Sequence, residues 1–164
     1  MKAIFFRHGP AVPRGTADAD RPLTPEGRRK TTQAAKGLRT LELDVAAIYS
    51  SPLSRAMQTA DILADVLHLP RPRILEALRP ETSVRRLLSE VRTFRHGTLV
   101  LVGHEPMLSA AVALAVGGRC SLELKKAGMA LVDVTTSGSR PGGTLKLVLS
   151  PAVLRKLGSL TGGR

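Results

Sequence analysis

Two histidines and two arginines carry the chemistry that this sequence offers. His8 stands between Arg7 and Gly9, Arg55 closes the segment Ser50-Ser51-Pro52-Leu53-Ser54-Arg55, and His104 follows Gly103. Guanidinium forks match the oxygens of a phosphoryl group bidentately, and their charge repels a metal cation. No accompanying cluster of carboxylates and thiolates resembles a metal site, so the set points to an anion. An imidazole nitrogen held in line can attack phosphorus, form a covalent intermediate and later release phosphate to water. A single histidine after a strand is more often structural than catalytic. What shifts that reading is the ordered set of four.

These residues act together only if the fold carries distant segments to one edge. Ala3-Ile4-Phe5-Phe6 is a short apolar run ending at charge and Gly9-Pro10, which predicts a buried strand over Lys2 to Arg7 with His8 at its carboxyl end. A loop rich in Pro, Gly and Asp leads to Pro22. Thr24-Pro25-Glu26 reads as the start of a helix reaching Leu41: Thr24 accepts from an orphan amide, proline suits the first turn, and Glu26 faces the positive helix end. Val45 to Tyr49 predicts a second strand, and Ser54 to Leu67 a helix with Ala56, Ala60, Leu63, Ala64 and Leu67 spaced by three and four. A brief strand over Arg73 to Leu75 and a helix over Ser83 to Phe94 follow. Thr98 to Val102 has the apolar character of a parallel strand covered on both faces, and Gly103-His104-Glu105-Pro106 leads from it into an Ala-rich helix to Val116. Strands over Ala130 to Val134 and Leu145 to Leu149, a polar turn over Ser137 to Gly143 and a helix over Pro151 to Leu157 complete the chain. Strands alternating with helices predict an α/β three-layer sandwich with a mostly parallel central sheet, as one domain over residues 1–164. Ligands bind beyond the carboxyl ends of the strands in such sheets, where His8, Arg55 and His104 all fall.

Composition narrows the function classes. The chain has 164 residues, 25 Lys and Arg against 13 Asp and Glu, and a net charge of +12, yet 43% of it is apolar, which fits a folded basic protein and not a disordered tail. A basic surface gathers anions of any kind. Single-strand nucleic-acid binders pair basic grooves with stacking rings, whereas the only aromatic residues here are Phe5, Phe6, Phe94 and Tyr49, so no nucleic-acid partner is expected. No membrane partner is expected either, since no apolar run approaches the roughly 20 residues that span a bilayer. Cys120 stands alone and Lys2 and Arg7 interrupt any signal-peptide core, so a cytoplasmic location is expected. Cys120 reads as a packing residue or free thiol, His68 as a helix-end residue, His96 as a surface residue, and Lys125-Lys126 as solvated lysines.

The order of the motifs resembles a known family. Arg7-His8-Gly9 after the first strand, Ser51-Pro52 with Arg55-Ala56 and Gln58-Thr59 after the second, and Gly103-His104 after a later one resemble the histidine phosphatase superfamily, with its phosphoglycerate-mutase-like fold, over most of the chain. Asp20-Arg21-Pro22-Leu23-Thr24, Gly103-His104-Glu105-Pro106 and Leu149-Ser150-Pro151 are similar to its SixA-type phosphohistidine phosphatase branch. The resemblance implies that His8 is the nucleophile that becomes phosphorylated, that Arg7 and Arg55 clamp the phosphate, and that His104 binds a phosphoryl oxygen in the transition state. It also brings Arg21 to the same mouth, with Gly9 and Glu105 as further substrate-binding positions. It implies neither metal nor cofactor.

The implied substrate is a phosphohistidine on a protein, such as a histidine phosphotransfer protein. A small phosphorylated metabolite is the second reading, and a phosphate-binding module without turnover the third. One departure bears on this choice. Larger members place a glutamate acid after the third strand, where this chain reads Leu78-Arg79-Pro80-Glu81. Glu81 and Glu105 are the candidate replacements, against a solvated loop role for the first and a helix-start role for the second. Without a strong acid, a phosphorylated imidazole is an easier substrate than a phosphorylated alcohol.

Overall fold

The protein is described here from a computed structural model covering residues 1–13, 18–94, 97–118, 120–135 and 142–160. His96 and most of the turn expected over Ser137 to Gly143 lie outside the described residues. The strands are β1 (Lys2–Arg7), β2 (Val45–Ser50), β3 (Arg73–Ile74), β4 (Thr98–Gly103), β5 (Met129–Val134) and β6 (Gly143–Leu149). The helices are α1 (Pro25–Arg39), α2 (Ser54–Leu67), α3 (Val84–Val91), α4 (Met107–Ala115) and α5 (Pro151–Leu160), with 3-10 turns at Asp18–Asp20 and Glu76–Leu78. Thr24 caps α1 as its sequence suggests, accepting from Gly27 N at 2.9 Å. Ser83 caps α3 from outside, accepting from Arg86 N, so the helix starts one residue later than expected, and it ends at Val91, short of the expected Phe94.

Side-chain alternation along the strands decides the layers. Ala3, Phe5, Leu99, Leu101, Ala130 and Val132 pack with Leu87, Leu88 and Val91 of α3 and Leu108, Ala111 and Val112 of α4. Ile4, Phe6, Val100, Val102, Met129 and Leu131 point the other way, onto Ala34 and Leu38 of α1, Ala56, Ala60 and Leu63 of α2, and Leu154 of α5. Successive strand residues thus feed two cores, and full burial of each large apolar side chain contributes about 1.5–3 kcal/mol. The aromatic residues serve these cores: Phe5 and Phe6 are fully buried, and Tyr49 packs on the half-buried Phe94 with ring centroids 4.7 Å apart. No described helix is long and apolar enough to cross a membrane.

The six strands lie in the order β3-β2-β4-β1-β5-β6. Only β5 runs against the others, pairing antiparallel with both β1 and β6. This is the expected three-layer α/β sandwich with a mostly parallel sheet. Its centre positions the site. β1 and β4 are parallel neighbours in register from Lys2 opposite Thr98 to Arg7 opposite Gly103. The helix after β1 packs on one face of the sheet and the helix after β4 on the other, so the chain departs in opposite directions from adjacent strand ends. A crevice opens where such paths diverge.

Candidate active site

His8 and His104 are the first residues beyond that paired register. The His8 N–H donates to the Gly103 carbonyl at 3.1 Å, extending the ladder by one bond and seating the imidazoles side by side, with centroids 5.1 Å apart and planes tilted by 55°. The rings are only 7% and 3% exposed. Nδ1 of His8 lies 2.7 Å from the Gly9 carbonyl oxygen, which can only accept, so Nδ1 carries the ring proton. Nε2 keeps its lone pair and accepts from Arg55 Nε at 3.3 Å. Burial holds the His8 pKa down to about 4, with repulsion from Arg55, Arg7 and Lys126 adding to it and the Gly9 bond opposing it. Burial, then the neighbouring His8 and Arg55, hold His104 down to about 3. Both rings are therefore neutral near pH 7. His104 Nε2 contacts the Ser51 hydroxyl at 2.9 Å, and its buried Nδ1 has no partner among the described residues.

Arg55 sits in the first turn of α2, reached directly from the end of β2, and is 4% exposed. Its Nη1 donates to the Asp18 carbonyl at 2.6 Å and its Nη2 to Asp18 Oδ2 at 3.1 Å. Arg21 donates to Asp18 Oδ1 from Nε at 2.9 Å and from Nη2 at 2.5 Å. One carboxylate thus lies across two guanidinium groups. Desolvation works against its charge, but the bonds from Arg21 and Arg55 hold its pKa below the ordinary carboxylate value. Arg7 Nη1 is anchored on the Leu124 carbonyl at 2.7 Å, and its buried Nε has no partner among the described residues. Glu105 Oε2 accepts from the Ser109 hydroxyl, which in turn accepts from Leu124 N, while Oε1 is buried without a partner among the described residues. Burial raises the Glu105 pKa against the opposing Ser109 bond.

These groups line a cleft of about 310 Å³, completed by Ala11, Pro80 and Lys126. Arg7, His8, Arg55 and His104 converge, and Arg21 and Glu105 reach the same cleft. Gly9 departs from its expected place. Its N–H donates to Thr59 Oγ1 at 3.0 Å and its carbonyl accepts from His8, so its polar groups hold the nucleophile candidate and neither is free for a ligand. Glu81 departs too. Its side chain is 66% exposed and lies 3.8 Å from Arg79, while Pro80 lines the cleft. Lys126 is solvated as its sequence suggests, but at the rim of the cleft. His68 ends α2 in a left-handed conformation, and Cys120 is a half-buried free thiol. Among the described residues no three His, Cys, Asp or Glu side chains are grouped to hold a metal ion.

Sequence reasoning gave no role to Asp18 or Ser51. The spacing Asp18-Ala19-Asp20-Arg21 carries a signal for the first, an acid three residues before an arginine. Ser51 carries one as a small polar residue at a strand exit beside Pro52.

Comparison with known proteins agrees with this geometry. Residues 3–84 match the model of the histidine phosphatase superfamily (branch 1). An uncharacterized protein of Picosynechococcus sp. is 40% identical over 137 residues, which cover 79% of this chain and 82% of that protein. The phosphohistidine phosphatase SixA of Escherichia coli is 26% identical over 159 residues, 94% of this chain and 97% of its own. A solved structure of the protein histidine phosphatase SixA complexed with tungstate superposes with a TM-score of 0.87 at 25% identity, covering 94% of this chain and 99% of that one.

Proposed function

The chain belongs to branch 1 of the histidine phosphatase superfamily, and on that premise we propose that it is a metal-independent phosphohistidine phosphatase acting through a covalent intermediate on His8. The observation that carries this reading is the state of His8. A neutral ring whose proton is held by the Gly9 carbonyl turns its Nε2 lone pair toward Arg55, in a cleft that Arg7 and Arg21 also line. In the first step that lone pair forms a bond to phosphorus while the phosphorus–nitrogen bond of the substrate breaks, and the departing ring, protonated on its other nitrogen, keeps the electron pair and leaves as neutral imidazole. His8 Nδ1 keeps its proton throughout, donating it to the Gly9 carbonyl. In the second step water attacks phosphorus, a phosphorus–oxygen bond forms, the electron pair returns to Nε2 and the proton leaves with water or phosphate. Arg7, Arg21 and Arg55 spread the charge of the transferring oxygens over several donors, and His104 contacts one of them.

Two features support a phosphorylated imidazole as the substrate. Pro80 lines the cleft next to the outward-facing Glu81, Asp18 is held as a carboxylate by Arg21 and Arg55, and Glu105 Oε2 accepts from Ser109. An imidazole leaves without the strong acid that an alkoxide needs. The similarity to SixA, a phosphohistidine phosphatase, supports the same substrate class, and a histidine phosphotransfer protein is the partner that this reading proposes. The test is to incubate the protein with a phosphorylated histidine phosphotransfer domain and with an aryl phosphate, with and without chelator. The reading expects phosphate release from the first substrate, unchanged by chelator, and an acid-labile phosphoenzyme mapping to His8. Binding without release would favour a phosphate-recognition module, and preferential turnover of esters would favour a small-molecule phosphatase.

A further inference from the structure

The buried hydroxyl of Ser51 has one proton to give, and the structure leaves it one acceptor. Ser51 lies just beyond β2, fully buried, with Oγ 2.9 Å from Nε2 of His104. The same Oγ receives the Leu53 N–H at 3.4 Å, and these are its only hydrogen bonds among the described residues. If Nε2 bore the ring proton, two N–H groups would converge on Oγ and the serine proton would be stranded on a fully buried hydroxyl. A stranded buried donor carries the full cost of its desolvation. With the serine donating, both groups are satisfied, and the one proton of the neutral ring stands on Nδ1.

We infer that Ser51 is a positioning residue that fixes His104 as the Nδ1–H tautomer, so that this ring meets a bound phosphoryl oxygen as a hydrogen-bond donor. Nδ1 is buried and unpartnered among the described residues, on a ring that lines the cleft beside His8. Among the described residues no protein group takes its N–H, which leaves it directed to an oxyanion that enters the cleft. The low basicity of the ring adds weight, because a neutral imidazole has a single proton and its placement decides which nitrogen donates. The contact to a phosphoryl oxygen rests on the proposed phosphatase reaction; the tautomer does not.

Two-bond proton–nitrogen correlation spectra of the imidazole rings at neutral pH test the two parts separately, with His104 identified by its loss in His104→Asn. The wild-type protein should show a protonated Nδ1 and a pyridine-like Nε2, and inorganic phosphate should shift Nδ1. Ser51→Ala should mix the tautomers and lower kcat by about tenfold with KM changed less than about twofold, and Ser51→Cys, which keeps a weak donor, should recover part of the loss. A proton on Nε2 in the wild-type protein overturns the inference, and this reading needs no variant. An unchanged His104 spectrum in Ser51→Ala overturns it as well. A protein with the expected spectra that turns over no phosphorylated substrate keeps the tautomer assignment and loses the phosphatase reading.

Discussion

At the end of β1, a backbone carbonyl accepts from Nδ1–H of His8 and leaves the Nε2 lone pair near Arg55; at the end of β4, the Ser51 hydroxyl covers Nε2 of His104 and leaves Nδ1 without a partner among the described residues. The two strand ends are adjacent, and their rings are equally buried and equally neutral. What differs is the group behind each ring. A carbonyl can only accept and so turns a base toward the cleft, whereas a hydroxyl able to donate turns an acidic N–H toward it. The same side chain thus suits attack at one position and charge stabilisation at the other.

Replacing the base is the most severe way to break this pairing. His8→Ala should remove the phosphoenzyme and lower kcat/KM by about 10⁴-fold or more, measured by trapping labelled enzyme and by steady-state rates. Normal turnover in that variant would end the nucleophile assignment. Arg55→Ala should cost on the order of 2 to 4 kcal/mol of transition-state stabilisation, and retained efficiency would contradict its clamping role. At the second ring, His104→Ala should lower kcat by about 100-fold, whereas His104→Asn, whose amide N–H can stand where Nδ1–H stood, should recover about tenfold of that loss. Equal rates in the two variants would show that the N–H is not what His104 supplies.

Acid sharpens what the rings share. Above pH of about 6.5 they are neutral folded or unfolded, but below it the unfolded chain takes up protons that the folded rings refuse until about 4 and 3. Stability is therefore lost as pH falls through that window, by about 2 kcal/mol per ring between pH 7 and pH 5. Urea unfolding of the wild-type protein and of His104→Asn should show the variant less sensitive to acid. The smallest effects separate the glycines beside the rings. A Cβ on Gly9 would stand 2.1 Å from Thr31 Oγ1, whereas one on Gly103 would meet the Leu108 side chain at 3.1 Å. Gly9→Ala should destabilise by about 1–3 kcal/mol and Gly103→Ala by less, as thermal melts would resolve.

Elements whose side chains face one environment were readable before any coordinates. The apolar run of β4 reflects a strand buried on both faces, and the spacing of three and four in α2 reflects a single buried stripe. The candidate site was readable where strand ends announce it, at Arg7-His8 and Gly103-His104. It was opaque where a contact depends on chain segments meeting: Asp18 reaches Arg55 across the fold, and Ser51 reaches His104 between β2 and β4. No local spacing encodes either distance. Gly9 misleads for a related reason, since its position beside His8 suggested ligand contact while α2 supplies Thr59 to take its amide. The ends of α3 were overextended because apolar spacing continues past Val91 into turns that Thr93 and Phe94 close.

The Asp18 carboxylate across Arg21 and Arg55 gives the resting cleft a tenant of its own. Binding of a phosphoryl group in the proposed reaction is then an exchange of one anion for another, with affinity set by the difference between them. Such a site discriminates by charge density: a lone carboxylate on a passing metabolite gains nothing over the one already seated, while a doubly charged phosphoryl group does. The same tenant keeps clustered guanidinium groups from repelling each other between turnovers.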